Sequence, residues 1–358
     1  MGTTLELSEL DAKIGQLFMV GIPGYELDEE TRSLIRRYNI GGVILFSRNI
    51  KDPVQLAYLT MDIQQEAIET NKIPLFIAVD QEGGKVARLK EPFTQFPGNS
   101  AIGASENPLD EADRFAKITA KELRLVGINM NLAPVLDVKT GELERHLSGR
   151  IFGEDPRVVS KLGRAVIRTL QENGIMAVAK HFPGLGQARV DPHQDLPVID
   201  IQPEEIEKNN LAPFKEAIAQ GVCGIMTSHA VYKVLDPAQP ATMSRAIVTG
   251  LLREKMGFQG LVITDDLEMG AVRRHKAVPQ GAAAAFEAGA DILLICKDQT
   301  LFLESLRLMR SNILKGTLPL TRLQQANDRI ARAKSRFLGQ AEKISVQEVK
   351  SYFKQIGS

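Results

Sequence analysis

Eight short apolar runs, spread along the whole chain, restrict the fold more than any other feature: GQLFMVGI (15–22), GGVILF (41–46), PLFIAVD (74–80), INMNLAPVLDV (128–138), IMAVAKH (175–181), VCGIMTSH (222–229), GLVITDD (260–266) and ADILLIC (290–296). They are rich in Val, Ile and Leu and mostly lack polar alternation. Runs of this kind suit strands buried on both faces, as in a parallel sheet. Helical patterns lie between them. The clearest spans Pro156 to Asn173, with Asp155 placed to cap it and Pro156 at the first helical position. Val159, Leu162, Val166 and Leu170 fall on one stripe, and Gly174 supplies the left-handed stop. Gly127, Gly221 and Gly289 also stand just ahead of apolar runs, where a helix should end. Strands alternating with helices predict an α/β fold, a single (β/α)8 TIM barrel over residues 1–342. Residues 343–358 are expected to add a short C-terminal helical tail packed on or near the barrel. An open doubly wound sheet is the alternative, but the usual glycine fingerprint after its first strand is missing.

Charge and cysteine content narrow the partners. Basic and acidic residues number 44 each, so the formal net charge is zero. A balanced chain carries no electrostatic footprint for nucleic acid or an anionic membrane. No apolar stretch reaches the roughly 18 residues a membrane span needs, and the start lacks a basic-then-apolar signal pattern. A cytoplasmic monomer is therefore expected. Cys223 and Cys296 both sit inside apolar runs. They read as reduced core thiols, with no metal or cofactor implied.

A barrel of this type places its active site at the C-terminal ends of its strands. The third run ends in Asp80, followed by QEGGKVAR with Arg88. The fourth contains Asp137, and the loop beyond it leads to Arg150. The fifth ends in Lys180 and His181, and the following loop holds Asp191 and His193. The sixth ends in Ser228 and His229, the seventh in Asp265 and Asp266. Burying such groups costs several kcal/mol each unless they pair or work. Asp266 reads as structural, because its side chain should point away from that of Asp265. His229 reads equally well as a hydrogen-bonded core histidine. His146 and His275 lie in charge-rich stretches and are expected at the surface.

At these residues the chain resembles the family 3 glycoside hydrolases, specifically the single-domain bacterial β-N-acetylhexosaminidases that recycle cell-wall peptidoglycan. VDQEGGKVAR (79–88), KHFPGLGQARVDPH (180–193) and LLREKMGFQGLVITDD (251–266) carry the resemblance. It implies that Asp265 is the nucleophile of a retaining hydrolase and that Asp191 and His193 form an Asp–His acid/base pair. It also implies that Asp80, Arg88, Arg150, Lys180 and His181 bind the sugar. An imidazole suits the proton transfer because its pKa lies near neutrality. The expected activity is exo-hydrolysis of a terminal N-acetylglucosamine (GlcNAc) from a glycan or muropeptide, without cofactor or metal. Leu185, Gln187, Pro192 and Glu268 depart from the usual pattern. Pro192 stiffens the loop between the two members of the acid/base pair.

Four rival readings remain at this level. A β-glucosidase or β-xylosidase of the same family generally has a second domain supplying a glutamate. A metal-dependent barrel hydrolase would place ligands on the first strand, which has none. A Schiff-base aldolase would use Lys180. A sugar-binding barrel that has lost catalysis would keep the pocket without turnover.

Overall fold

A computed structural model describes residues 7–141, 145–188, 190–192, 195–339 and 344–356. Every one of the eight apolar runs contributes a barrel strand. They are β1 (Phe18–Gly21), β2 (Gly42–Leu45), β3 (Phe76–Val79), β4 (Met130–Asn131), β5 (Met176–Phe182), β6 (Gly224–Thr227), β7 (Leu261–Asp266) and β8 (Ile292–Ile295). Each pairs in parallel with its sequence neighbours, and β1 pairs with β8 to close the barrel. The strands need no polar alternation because helices cover their outer faces.

The helix expected from Pro156 runs to Glu172. The Asp155 carboxylate accepts the Arg157 N–H at 2.9 Å, and Gly174 turns the chain at φ +79°. Val159, Leu162, Val166 and Leu170 are all buried. They press this helix onto the barrel, as the stripe requires. The final helix, Val346–Ile356, seats Phe353 edge-on against Phe93 with ring centroids 4.7 Å apart.

Register irregularities fall in two strands that matter for the site. One lies between Ala179 and Phe182 of β5, the other between Ile263 and Asp266 of β7. Such irregularities re-aim side chains at strand ends. They flank Lys180 and His181 in one strand and Thr264 and Asp265 in the other.

The opposite, N-terminal mouth is closed by charged side chains from the helix Leu320–Leu338. Asp291, just ahead of β8, is fully buried and receives Arg253, Arg322 and Arg329. Lys334 Nζ is also buried, 2.9 Å from Gln16 Oε1 and 5.1 Å from the centre of the Phe76 ring. These contacts brace the barrel floor and leave the other mouth for chemistry.

Candidate active site

Sequence position alone brings acid and base together at the open mouth. Asp80 follows β3 directly, and a short hairpin begins there: Gln81–Gly83 pairs with Val86–Ala87. The Gln81 side chain accepts the Arg88 N–H at 2.9 Å and the Leu89 N–H at 3.1 Å. This turns Arg88 back over the barrel, where its Nη2 lies 3.3 Å from Asp80 Oδ2. Asn131 of β4 braces the hairpin through two bonds to the Gln81 backbone, each 3.0 Å.

Lys180 reaches into this corner from β5. Its Nζ lies 2.7 Å from Asp80 Oδ1 and 2.7 Å from Glu82 Oε1. Arg150 comes from the loop after β4 and grips the same Glu82 with two bonds, 2.8 and 2.9 Å. Burial opposes the charge on Glu82, but Lys180 and Arg150 outweigh it and hold its carboxyl at about 2. Burial likewise opposes the charge on Lys180, yet Asp80 and Glu82 raise its pKa above the ordinary value. Lys180 is thus a committed ammonium. A Schiff-base reading needs a neutral amine at this position, and the two carboxylates work against it.

His181 is fixed by Asp137. The carboxylate Oδ2 meets His181 Nδ1 at 2.7 Å, and Oδ1 accepts the backbone N–H of His181 at 3.2 Å and of Leu185 at 2.7 Å. One buried aspartate therefore ties the segment after β4 to the loop after β5. Burial acts against its ionisation, but His181 and the two N–H groups keep its pKa low. The other ring nitrogen, Nε2, lies 3.4 Å from Arg150 Nη2.

Asp265 stands at the end of β7. Burial would raise its pKa, but interactions with His181, His229, the Asp266 N–H and Lys180 bring it below the ordinary value. The group is an ionised carboxylate at neutral pH, as a nucleophile must be. Its neighbour behaves differently. Burial pushes Asp266 up to about 6, with Glu268 and Asp265 adding to the rise. Asp266 Oδ1 accepts the Glu268 N–H at 3.0 Å.

The loop after β5 is held at several points. The Gly184 carbonyl accepts from Tyr232 Oη at 2.8 Å and from Asn210 Nδ2 at 3.0 Å. Farther along, the Pro192 carbonyl accepts the Ala271 N–H at 3.0 Å, and Asp195 pairs with Arg274 at 3.2 Å. Both partners belong to the turn of helix that follows β7. The loop segment bearing Asp191 is therefore docked beside the strand that carries Asp265. His193 lies outside the described residues.

With that geometry in place, residues 9–333 match the glycosyl hydrolase family 3 N-terminal domain. The chain belongs to glycosyl hydrolase family 3. Beta-hexosaminidase A of Pseudoalteromonas piscicida is 39% identical over 285 residues, covering 75% of this chain and 48% of its own length. The chain thus spans about half of that relative. A beta-hexosaminidase of Tolumonas auensis is 40% identical over 283 residues, covering 78% of this chain and 83% of that protein. The structure of a family 3 beta-N-acetylglucosaminidase from Paenibacillus sp. str. FPU-7 superposes with a TM-score of 0.90 at 36% identity, covering 99% of this chain and 68% of that one.

Within this family 3 barrel, Asp80, Arg88, Arg150, Lys180, His181 and Asp265 all gather at one mouth. His229 is buried, its ring nitrogens 2.8 Å from Thr242 Oγ1 and 3.0 Å from the Asp266 carbonyl. That is the bonded core histidine of the blander reading. His275 is exposed as expected, but His146 is half-buried and its carbonyl accepts from Arg150 at 3.3 Å. The loop that looked polar in sequence folds inward to deliver Arg150, which explains the difference. Glu82 was missed by the sequence reading. A signal for it existed: it lies two residues after Asp80, and residues two apart in extended backbone share a face.

Proposed function

We propose that this chain is a retaining exo-β-N-acetylglucosaminidase. Its family membership and relatives named beta-hexosaminidase support hydrolysis of a carbohydrate. The observation that carries the reading is Asp265, a carboxylate kept ionised at a strand end and facing a cradle of paired charges. In the proposed reaction the terminal GlcNAc occupies the open mouth. Asp80, Arg88, Arg150, Lys180 and His181 bind its hydroxyl and amide groups. Asp265 attacks the anomeric carbon while His193, paired with Asp191, gives a proton to the departing oxygen. The glycosyl–aspartate ester then breaks when His193 takes a proton from water and the water attacks the same carbon. Muropeptide fragments ending in GlcNAc are the proposed natural substrates.

Trapping tests this directly. An activated fluorinated N-acetylglucosaminyl donor should leave its sugar mass on the peptide containing Asp265, and proton NMR of the first product should show the β anomer. A first product of α configuration, with no adduct on that peptide, would refute the mechanism.

A further inference from the structure

We propose that Glu82 is a positioning residue for sugar binding, acting through Lys180 and Arg150 without touching the sugar. The proposal rests on the glycosidase reading of this mouth and adds the residue that organises its cations. Glu82 is 1% exposed, whereas the Asp80 and Arg88 side chains, which rim the same cluster, are 15% and 30% exposed. Both of its carboxylate oxygens are also taken, Oε1 by Lys180 Nζ and Arg150 Nη2 and Oε2 by Arg150 Nε.

Its effect is legible in the donor count. An ammonium has three N–H groups. One on Lys180 is donated to Asp80 at 2.7 Å, and Glu82 Oε1 stands 2.7 Å from the same Nζ as an ion-pair partner. The ammonium is thus held between two carboxylates. The Arg150 guanidinium has five N–H donors in a planar fork. Nε and one N–H of Nη2 are committed to Glu82. The plane of the fork is thereby set, and its remaining N–H groups are directed away from Glu82. One carboxylate thus orients both cations, so that neither must be ordered when the sugar arrives. Ordering a long side chain on binding costs about 0.5–1.5 kcal/mol. Glu82 also supplies half of the negative charge that keeps Lys180 protonated beside Arg150.

Two variants test this in the full chain, with an aryl β-N-acetylglucosaminide as substrate. E82Q keeps the shape and removes the charge. E82D keeps the charge and draws it back by one methylene. Circular dichroism and melting first establish that each is folded. E82Q should raise KM about tenfold or more and leave kcat within about threefold of the parent, because the cations that bind the sugar are no longer pre-set while the reacting groups are untouched. E82D should raise KM less, since its charge still pairs with Lys180 and Arg150. That split between KM and kcat is not what a general loss of stability gives. Parental KM in folded E82Q or folded E82D overturns the proposal, as does a folded E82Q whose loss falls on kcat alone. If E82Q does not fold, E82D decides the matter through KM alone. Failure of the broader reading looks different: the parent itself would not cleave the N-acetylglucosaminide. Should the parent cleave an aryl β-glucoside instead, the same comparison holds on that substrate.

Discussion

Replacing Asp265 removes a carboxylate that lies beyond the packed layers of the barrel. D265A should therefore fold like the parent and lose turnover on the order of 10⁴-fold, as nucleophile deletions do. Steady-state hydrolysis of an aryl β-N-acetylglucosaminide checks this, and activity within tenfold of the parent would exclude Asp265 as nucleophile. His193 calls for a comparison of leaving groups. Acid assistance matters most when the departing oxygen is a poor leaving group. H193A should thus lose much more kcat/KM on a disaccharide than on a nitrophenyl glycoside, and equal losses on the two would speak against a proton donor. Legibility differed sharply among the site residues. Asp80, Lys180, His181 and Asp265 sit where apolar runs end, so their position followed from periodicity. Arg150 and Glu82 were harder. Arg150 is placed by a long loop whose path depends on tertiary contacts, and Glu82 hides behind the residues it organises.

Among the elements, the loop after β5 is the most constrained. A Cβ on Gly186 would lie 1.8 Å from the Val138 carbonyl oxygen, well inside contact distance. G186A must therefore push this loop away from the segment after β4, whose Asp137 aligns His181 and Leu185. The expected outcome is a melting temperature lower by several degrees and at least a tenfold fall in kcat/KM, measured by thermal unfolding and aryl-glycoside kinetics. An unaltered kcat/KM would show that the loop path is not set by this approach. Leu185 shows where the family pattern and the packing meet. Its side chain is buried and its N–H is held by Asp137, so the loop is anchored by an aliphatic residue and a backbone bond. The strands and the Pro156–Glu172 helix were legible because burial on both faces, or on one stripe, writes itself into composition. The strand irregularities in β5 and β7 were not, since they arise from pairing between strands distant in sequence.

The whole molecule separates its two mouths by chemistry. At the closed end, burial pulls the Lys334 ammonium down to about 7. An unfolded lysine titrates near 10.4. Between those values the unfolded chain binds a proton that the folded chain does not. The contribution of Lys334 to stability therefore rises with pH from about 7 to about 10 and is least favourable below about 7. K334M should stabilise the protein at pH 7 and below by about 1–3 kcal/mol. It should also flatten the rise in stability above pH 7. Urea unfolding at pH 6, 7.5 and 9 measures both. A variant less stable than the parent at pH 6 would show that the bond to Gln16 and the Phe76 ring outweigh the desolvation of the charge.

Because the floor and the open mouth share no side-chain partners among the described residues, changes at one end should combine independently with changes at the other. A floor stiffened by K334M then serves as a tolerant chassis. Substitutions such as G186A or E82Q, carried on that background, can lose catalysis without collapsing, and a defect in chemistry becomes separable from a defect in folding within a single series of double variants.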